Sequence, residues 1–286
     1  MSKNSTSAKS NFGEAPENEI CMAAVQMTAG PEVSANLKEA ARLIDIAVTK
    51  GAKLVVLPEY FCIMGMKDAD KVVVREEEGS GPIQEFLGKT AKSHGIWLIG
   101  GSVPLVSARP DKVRNSCLVY DDSGKQVARY DKIHLFNFEH GEEHYAEEKT
   151  IEAGNKIVTL ESPFGRIGLS ICYDLRFPEL YRSMGQVDII LAPSAFTATT
   201  GKAHWETLIR ARAIENLAYM IAPAQSGRHI NGHKTYGDSM IVDPWGVILD
   251  HLPKGPGVVL ANISQSHQKN LRNSLPALKH RTLHFC

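Results

Sequence analysis

The stretch DIILAPSAFTATTGKAHWETLIRARAIENLAYMIAPA, residues 188–224, decides the fold. It opens on one short apolar run, DIILA, and closes on another, AYMIAPA, and runs of that length read as buried strands. Between them, residues 203–216 read as a strongly amphipathic helix. The same grammar extends outward in both directions. Upstream, CMAAVQM (21–27) is a strand ending at Ala29-Gly30-Pro31, and Leu37, Ala41, Ile44 and Val48 follow at helical spacing, with Ser34 or Asn36 as caps and Gly51 past the end. LVVL (54–57) is a strand that Pro58 stops, residues 83–92 form a helix and 96–103 a strand. CLVY (117–120) and residues 126–130 flank Asp121-Asp122-Ser123-Gly124, which is hairpin chemistry. IVTL (157–160) and IGLSI (167–171) flank a second hairpin turn at 162–165, and residues 178–184 make a short helix. Downstream, SMIVD and VILD pair across Pro244-Trp245-Gly246, and GVVLANI (257–263) is the last strand. Helices alternating with strands, some of them hairpin-paired, imply an α/β fold with layered, mixed sheets.

Composition narrows the function classes. The chain has 286 residues, 43% of them hydrophobic and 22% charged, which fits a globular protein with a substantial core. Lys and Arg total 32, as do Asp and Glu, so no basic excess points to nucleic acid or an anionic membrane. No apolar run approaches the roughly 20 residues of a membrane-spanning helix. Five cysteines, Cys21, Cys62, Cys117, Cys172 and Cys286, are widely separated and contain no CxxC pair, which argues against disulfides and structural zinc and for a reducing, cytoplasmic setting. Residues 1–19 are polar and lack the apolar core of a secretory signal, so they read as a disordered tail before a single domain at 20–286.

Three side chains of complementary chemistry stand just beyond strands: Glu59 in LPEYF, Lys132 in YDKIHLF and Cys172 in ICYDLRFPELYR. Strand ends are where layered α/β folds gather their sites. A lysine ammonium lowers the pKa of a nearby thiol and can hold an oxyanion, while a carboxylate can take the thiol proton and return it to a leaving amine. In that order, the three strings resemble the signature regions of the nitrilase, or carbon-nitrogen hydrolase, superfamily, and the likeness runs from about Ile20 to Arg281.

The resemblance implies a four-layer αββα sandwich, a homodimer or higher homo-oligomer, and hydrolysis of a small-molecule amide through a thioester at Cys172, with no metal or organic cofactor. Carried over by motif, Glu59 is general base and then acid, Lys132 holds the oxyanion, and the backbone N–H of Tyr173 is a second donor. A further glutamate of the family aligns with Glu147 in AEEKTIEAG, where it would orient substrate or lysine. Within the superfamily, residues 194–216 and 236–246 resemble the branch of deaminated glutathione amidases and omega-amidases, which implies a carboxylate-bearing amide. Omega-amidase, carbamoyl-amide hydrolase and nitrilase activities remain open with the same triad. So does a non-catalytic binding scaffold.

The remaining chemistry-bearing residues have plainer readings. Asp174, Arg176 and Glu179 are expected to form a supporting salt-bridge network, and Arg210, Arg212 and Glu215 to serve packing or an interface. The string HGEEH (140–144) matches the H-x-x-E-H zinc pattern through His140, Glu143 and His144. That pattern needs a helix, and Gly141 and the absence of an apolar stripe count against one.

Overall fold

A computed structural model of the chain describes residues 19–141 and 143–283. The expected tail, except Glu19, lies outside these residues, as does Cys286. The first part of the chain forms β1 (Ile20–Gln26), α1 (Val33–Thr49), β2 (Leu54–Val56), α2 (Asp70–Val73), α3 (Pro82–His94) and β3 (Trp97–Ile99). Next come β4 (Val103–Val106), β5 (Val113–Tyr120), β6 (Gln126–Asp131), β7 (Asn137–His140), β8 (Glu143–Ala146), β9 (Thr159–Ser162) and β10 (Gly165–Leu169). The last part forms α4 (Pro178–Ser183), β11 (Ile189–Leu191), α5 (Ala198–Asn216), β12 (Tyr219–Ala222), β13 (Ser226–Arg228) and β14 (Lys234–Tyr236). It ends with β15 (Ser239–Val242), β16 (Ile248–Leu252), β17 (Gly257–Ile263) and α6 (Gln265–Ser274).

Two mixed sheets result. One has the order β17-β1-β2-β3-β5-β4, with β6 on β5, and the other β16-β15-β12-β11-β10-β9. In each, three neighbouring strands are parallel, β1-β2-β3 and β10-β11-β12, and the flanking pairs are antiparallel. In β1, Met22 and Ala24 join the core shared by the two sheets, while Ala23 and Val25 join the core formed with Leu43 and Ile44 of α1 and Leu87 of α3. Both faces of such a strand are covered, so it reads as an unbroken apolar run. With Trp205 and Ile209 of α5 packed on the second sheet, the layers are helix, sheet, sheet and helix, the αββα sandwich expected. Gln26 stitches the sheets together, its Oε1 accepting from Ser239 N and Oγ, each at 2.8 Å.

The stretch that decides the fold forms β11, α5 and β12, with Ile189 beside Tyr219 in parallel register. Two details differ from the sequence reading. Helix α5 begins five residues earlier, at Ala198, because Thr197 Oγ1 caps it by accepting from Thr200 N at 3.1 Å. Its buried face is also not uniformly apolar: it carries Thr200, Arg212 and Asn216 beside Trp205 and Ile209. Arg212 is tolerated there because its guanidinium donates to Leu175 O and Glu215 Oε1.

Neither Ser34 nor Asn36 caps α1; Glu32 precedes the helix without a side-chain cap. Asn36 is buried instead, bonding Gly30 N and O and reaching Cys62 O at 2.9 Å, so it ties the helix start to the loop after β2. The strand read over 96–103 is two strands, β3 and β4, because the chain turns at Gly101 (φ 49°). A side chain there would collide with Pro58 O, which only glycine avoids. The segment 137–146 is the hairpin β7-β8, and β13-β14 is a second hairpin, both outside the two large sheets.

Candidate active site

The sandwich brings the three strand-end residues together. Glu59 lies three residues past β2, Lys132 directly follows β6, and Cys172 opens a 3-10 turn at Cys172–Arg176, three residues past β10. Lys132 Nζ donates to Glu59 Oε1 at 2.8 Å and to Glu147 Oε2 and Oε1 at 2.8 and 3.0 Å. Cys172 lines the same cleft as Glu59 and Glu147. Glu59 and Lys132 are each 1% exposed and Cys172 8%, so these charges are held almost out of water and lose little attraction to screening.

The backbone is forced at Cys172 and at the residue after Glu59. Tyr60 (φ 57°) and Cys172 (φ 51°) occupy the left-handed region, which costs a residue with a side chain about 1–3 kcal/mol. Fixed hydrogen bonds hold both: Tyr60 N donates to Ser102 Oγ at 2.9 Å, and Cys172 N to Pro193 O at 3.0 Å. Among the described residues nothing accepts from the Tyr173 N–H, as expected for the open first turn of a 3-10 helix. That amide is therefore available beside the sulfur, where an oxyanion donor was expected.

Several supporting residues were not singled out from sequence. Asn115 Nδ2 donates to Glu59 Oε1 at 3.0 Å, and Gln225 Nε2 donates to Glu59 O at 3.0 Å. Glu147 accepts from Tyr60 OH and Phe136 N, each at 2.8 Å. Neighbouring Glu148 is exposed and takes no part. A polar Asn115 inside the apolar strand β5 was the available signal, since a buried amide must find partners. The expected salt-bridge network after the cysteine is only partly present. Asp174 accepts from Ile171 N (2.8 Å), Tyr130 OH (2.7 Å) and His134 N and Nδ1 (3.1 and 2.7 Å). Glu179 is exposed, and Arg176 meets His204 Nδ1 at 3.3 Å and lies over the rings of Tyr173 and Phe196.

Electrostatics correct one expectation. Burial first, then the charge of Glu59, push the Cys172 thiol well above its ordinary value, and Lys132 does not offset them. Two carboxylates surround one ammonium, so Lys132 does not bring the thiol below its ordinary value as expected. Burial also raises the Glu59 carboxyl, against the pull of Lys132 and with a push from Glu147. Burial works against the Lys132 ammonium too, but Glu147 and Glu59 outweigh it and hold it well above the usual lysine value. For Glu147, the Lys132 charge overcomes burial and keeps the carboxyl low. The arrangement sets side by side a carboxyl raised by burial, a lysine held protonated by two glutamates and a thiol held above its ordinary value.

The zinc reading fails on geometry. In β7-β8, Glu139 faces His144 and His140 faces Glu143, so the two histidines lie on opposite faces of a hairpin rather than one turn apart on a helix. Among the described residues no three His, Cys, Asp or Glu side chains converge to hold a metal ion.

The fold of two stacked mixed sheets is shared with proteins of known structure. The profile of the carbon-nitrogen hydrolase family matches residues 21–273, so the chain belongs to that family, and it is an amidase of the nitrilase superfamily. It is 42% identical to a deaminated glutathione amidase of Synechocystis sp., over 91% of this chain and 97% of that protein. It is 37% identical to the deaminated glutathione amidase of Homo sapiens, over 91% of this chain and 81% of that one. The crystal structure of Saccharomyces cerevisiae Nit3, a member of branch 10 of the nitrilase superfamily, superposes with a TM-score of 0.83 at 30% identity, covering 95% of this chain and 99% of that one.

Proposed function

We propose that this amidase hydrolyses a carboxylate-bearing amide of the deaminated glutathione type through a thioester on Cys172. The observation that carries this reading is that Glu59 and Glu147, which line one cleft with the Cys172 sulfur, both grip the buried Lys132 at 2.8 Å. Glu59 takes the thiol proton as Sγ bonds the amide carbon. Lys132 Nζ and the Tyr173 N–H hold the oxyanion, and loss of one such donor costs about a hundredfold or more in rate. Protonated Glu59 then gives its proton to the amide nitrogen, the C–N bond breaks and the amine leaves. Water enters, Glu59 takes its proton as the new C–O bond forms, and as the C–S bond breaks Glu59 returns that proton to sulfur, which releases the acid and restores the thiol. Glu147 keeps Lys132 aimed and charged throughout.

The names of the relatives support the substrate type, and so does Arg176, whose guanidinium faces a lobe beside Cys172 with no carboxylate within 4 Å among the described residues. We further propose a homo-oligomer in the cytoplasm. Exposed Ile214, Trp245 and Val247, gathered where Gly246 packs on Ile214, support the former. Among the described residues no helix is long and apolar enough to cross a membrane.

The test is turnover of deaminated glutathione with ammonium-free amine detection, alongside mass spectrometry of the quenched enzyme. An acyl adduct on Cys172, loss of activity in Cys172→Ala and indifference to EDTA are expected. A confirmed substrate that leaves Cys172 unmodified, or a fully active Cys172→Ala, would overturn the mechanism.

A further inference from the structure

Asn115 lies behind the cleft, not on its wall, and holds two residues of the site at once. It is the third residue of β5 and 2% exposed. The pairing of Ser116 with Asp131 sets it opposite Lys132, and Asn115 O accepts from Lys132 N at 3.0 Å. Its side chain turns to another strand end. Nδ2 donates to Glu59 Oε1 at 3.0 Å, although β3 separates β2 from β5 in the sheet. A single buried residue thus ties the position of the lysine to that of the acid.

The two oxygens of Glu59 are consequently unlike. Oε1 accepts from Asn115 Nδ2 and, at 2.8 Å, from Lys132 Nζ. A carboxylate oxygen has two lone pairs, and these two donors fill those of Oε1. Among the described residues no nitrogen or hydroxyl bonds Oε2, and the Cys172 thiol is the remaining side chain that hydrogen-bonds this carboxyl. Glu147 differs, since both of its oxygens are engaged, Oε1 by Tyr60 OH and Lys132 and Oε2 by Phe136 N and Lys132. Glu59 Oε2 is therefore the carboxylate oxygen beside Lys132 left open to the sulfur.

We propose that Asn115 is a positioning residue that selects the basic atom of this amidase: by filling Oε1 together with Lys132, it leaves Oε2 turned to Cys172 Sγ to receive the thiol proton. This rests on the proposed role of Glu59 as base. Loss of the amide has a definite sign. A donor to the ionised carboxyl favours the charged form, so removing it raises the Glu59 carboxyl further. The groups that face Glu59, namely Lys132, Glu147, Cys172, Tyr60 and Lys71, all stay in place.

The test is the rate of Cys172 alkylation by iodoacetamide against pH, read by mass spectrometry, which needs no substrate. In the wild-type enzyme the rate should fall as pH drops through the raised Glu59 pKa, and Glu59→Gln should abolish that limb. Asn115→Leu should move the limb up by about one pH unit, a loss of about tenfold in rate along it, since a hydrogen bond to a charged group is worth about that much. Asn115→Asp keeps the shape but sets a second carboxyl against the first, and should move it further. Asn115→Gln keeps the amide and should move it least. A limb that stays in place in the Leu and Asp variants would reduce Asn115 to a packing residue and overturn the inference. If one variant does not melt cooperatively, the order of the other two decides, and a reversed order overturns it equally. If the wild-type limb is missing, or survives in Glu59→Gln, the reading of Glu59 as base fails first, and this inference with it.

Discussion

On the proposed mechanism Glu59 has two opposing duties, base and then acid, and its surroundings suit both. A carboxyl with an ordinary pKa would be a poor acid toward a departing amine, and one raised too far would be a poor base toward the thiol. Burial lifts it, Lys132 restrains the lift, and Cys172 and Glu147 complete its titratable neighbourhood. The sign for activity follows. Protonated Glu59 cannot accept the thiol proton, so kcat/KM falls as pH drops through its raised pKa. The acid limb of the pH profile is expected above the ordinary carboxylate range, and a limb at or below that range would refute the assignment. The identities of Glu59, Lys132 and Cys172 were legible from their strings. The upward shift of the thiol was not, because a lysine in the sequence does not reveal that two carboxylates will flank it once buried.

At the scale of elements, Asp174 joins the segment that carries Lys132 to the turn that carries Cys172. Its four donors come from Tyr130 and His134, on either side of the lysine, and from Ile171, just before the cysteine. His134 is fixed further by stacking on Phe177, with ring centres 3.7 Å apart. Asp174→Asn turns one acceptor into a donor facing donors, at a cost of about 1–3 kcal/mol. As a positioning residue it should lower kcat by about tenfold or more with little change in KM, and the melting temperature by several degrees. An unchanged kcat would refute the coupling. Strands and most helices were legible because apolar runs and helical spacing are local. The hairpin at 137–146 was not, since its rings stack on one another, Phe136 on Phe138 and Phe136 against Tyr145, instead of following a core-facing period. The early start of α5 was hidden for a related reason: its first turn buries Thr200 and Gly201, which carry no hydropathy signal.

At the scale of the whole molecule, the four polar residues of the site come from both sheets and from a loop between them, so the cleft exists only when the sandwich is closed. One outer end of the second sheet remains apolar: Trp245 is 54% exposed and Val247 51%, a cluster that soluble surfaces seldom leave uncovered. Light scattering is expected to report a homo-oligomer for the wild-type chain and a smaller species for Trp245→Glu, with the cleft residues untouched. An unchanged mass would remove this end of the sheet from any assembly contact.

The two small hairpins meet across the mouth of the cleft, where the Tyr145 ring stands edge-on to His233 with centres 5.3 Å apart. Neither β7-β8 nor β13-β14 lends a strand to the large sheets. Exchanging the side chains of Tyr145 and His233 would therefore reshape the entrance while every strand of the two large sheets keeps its partners.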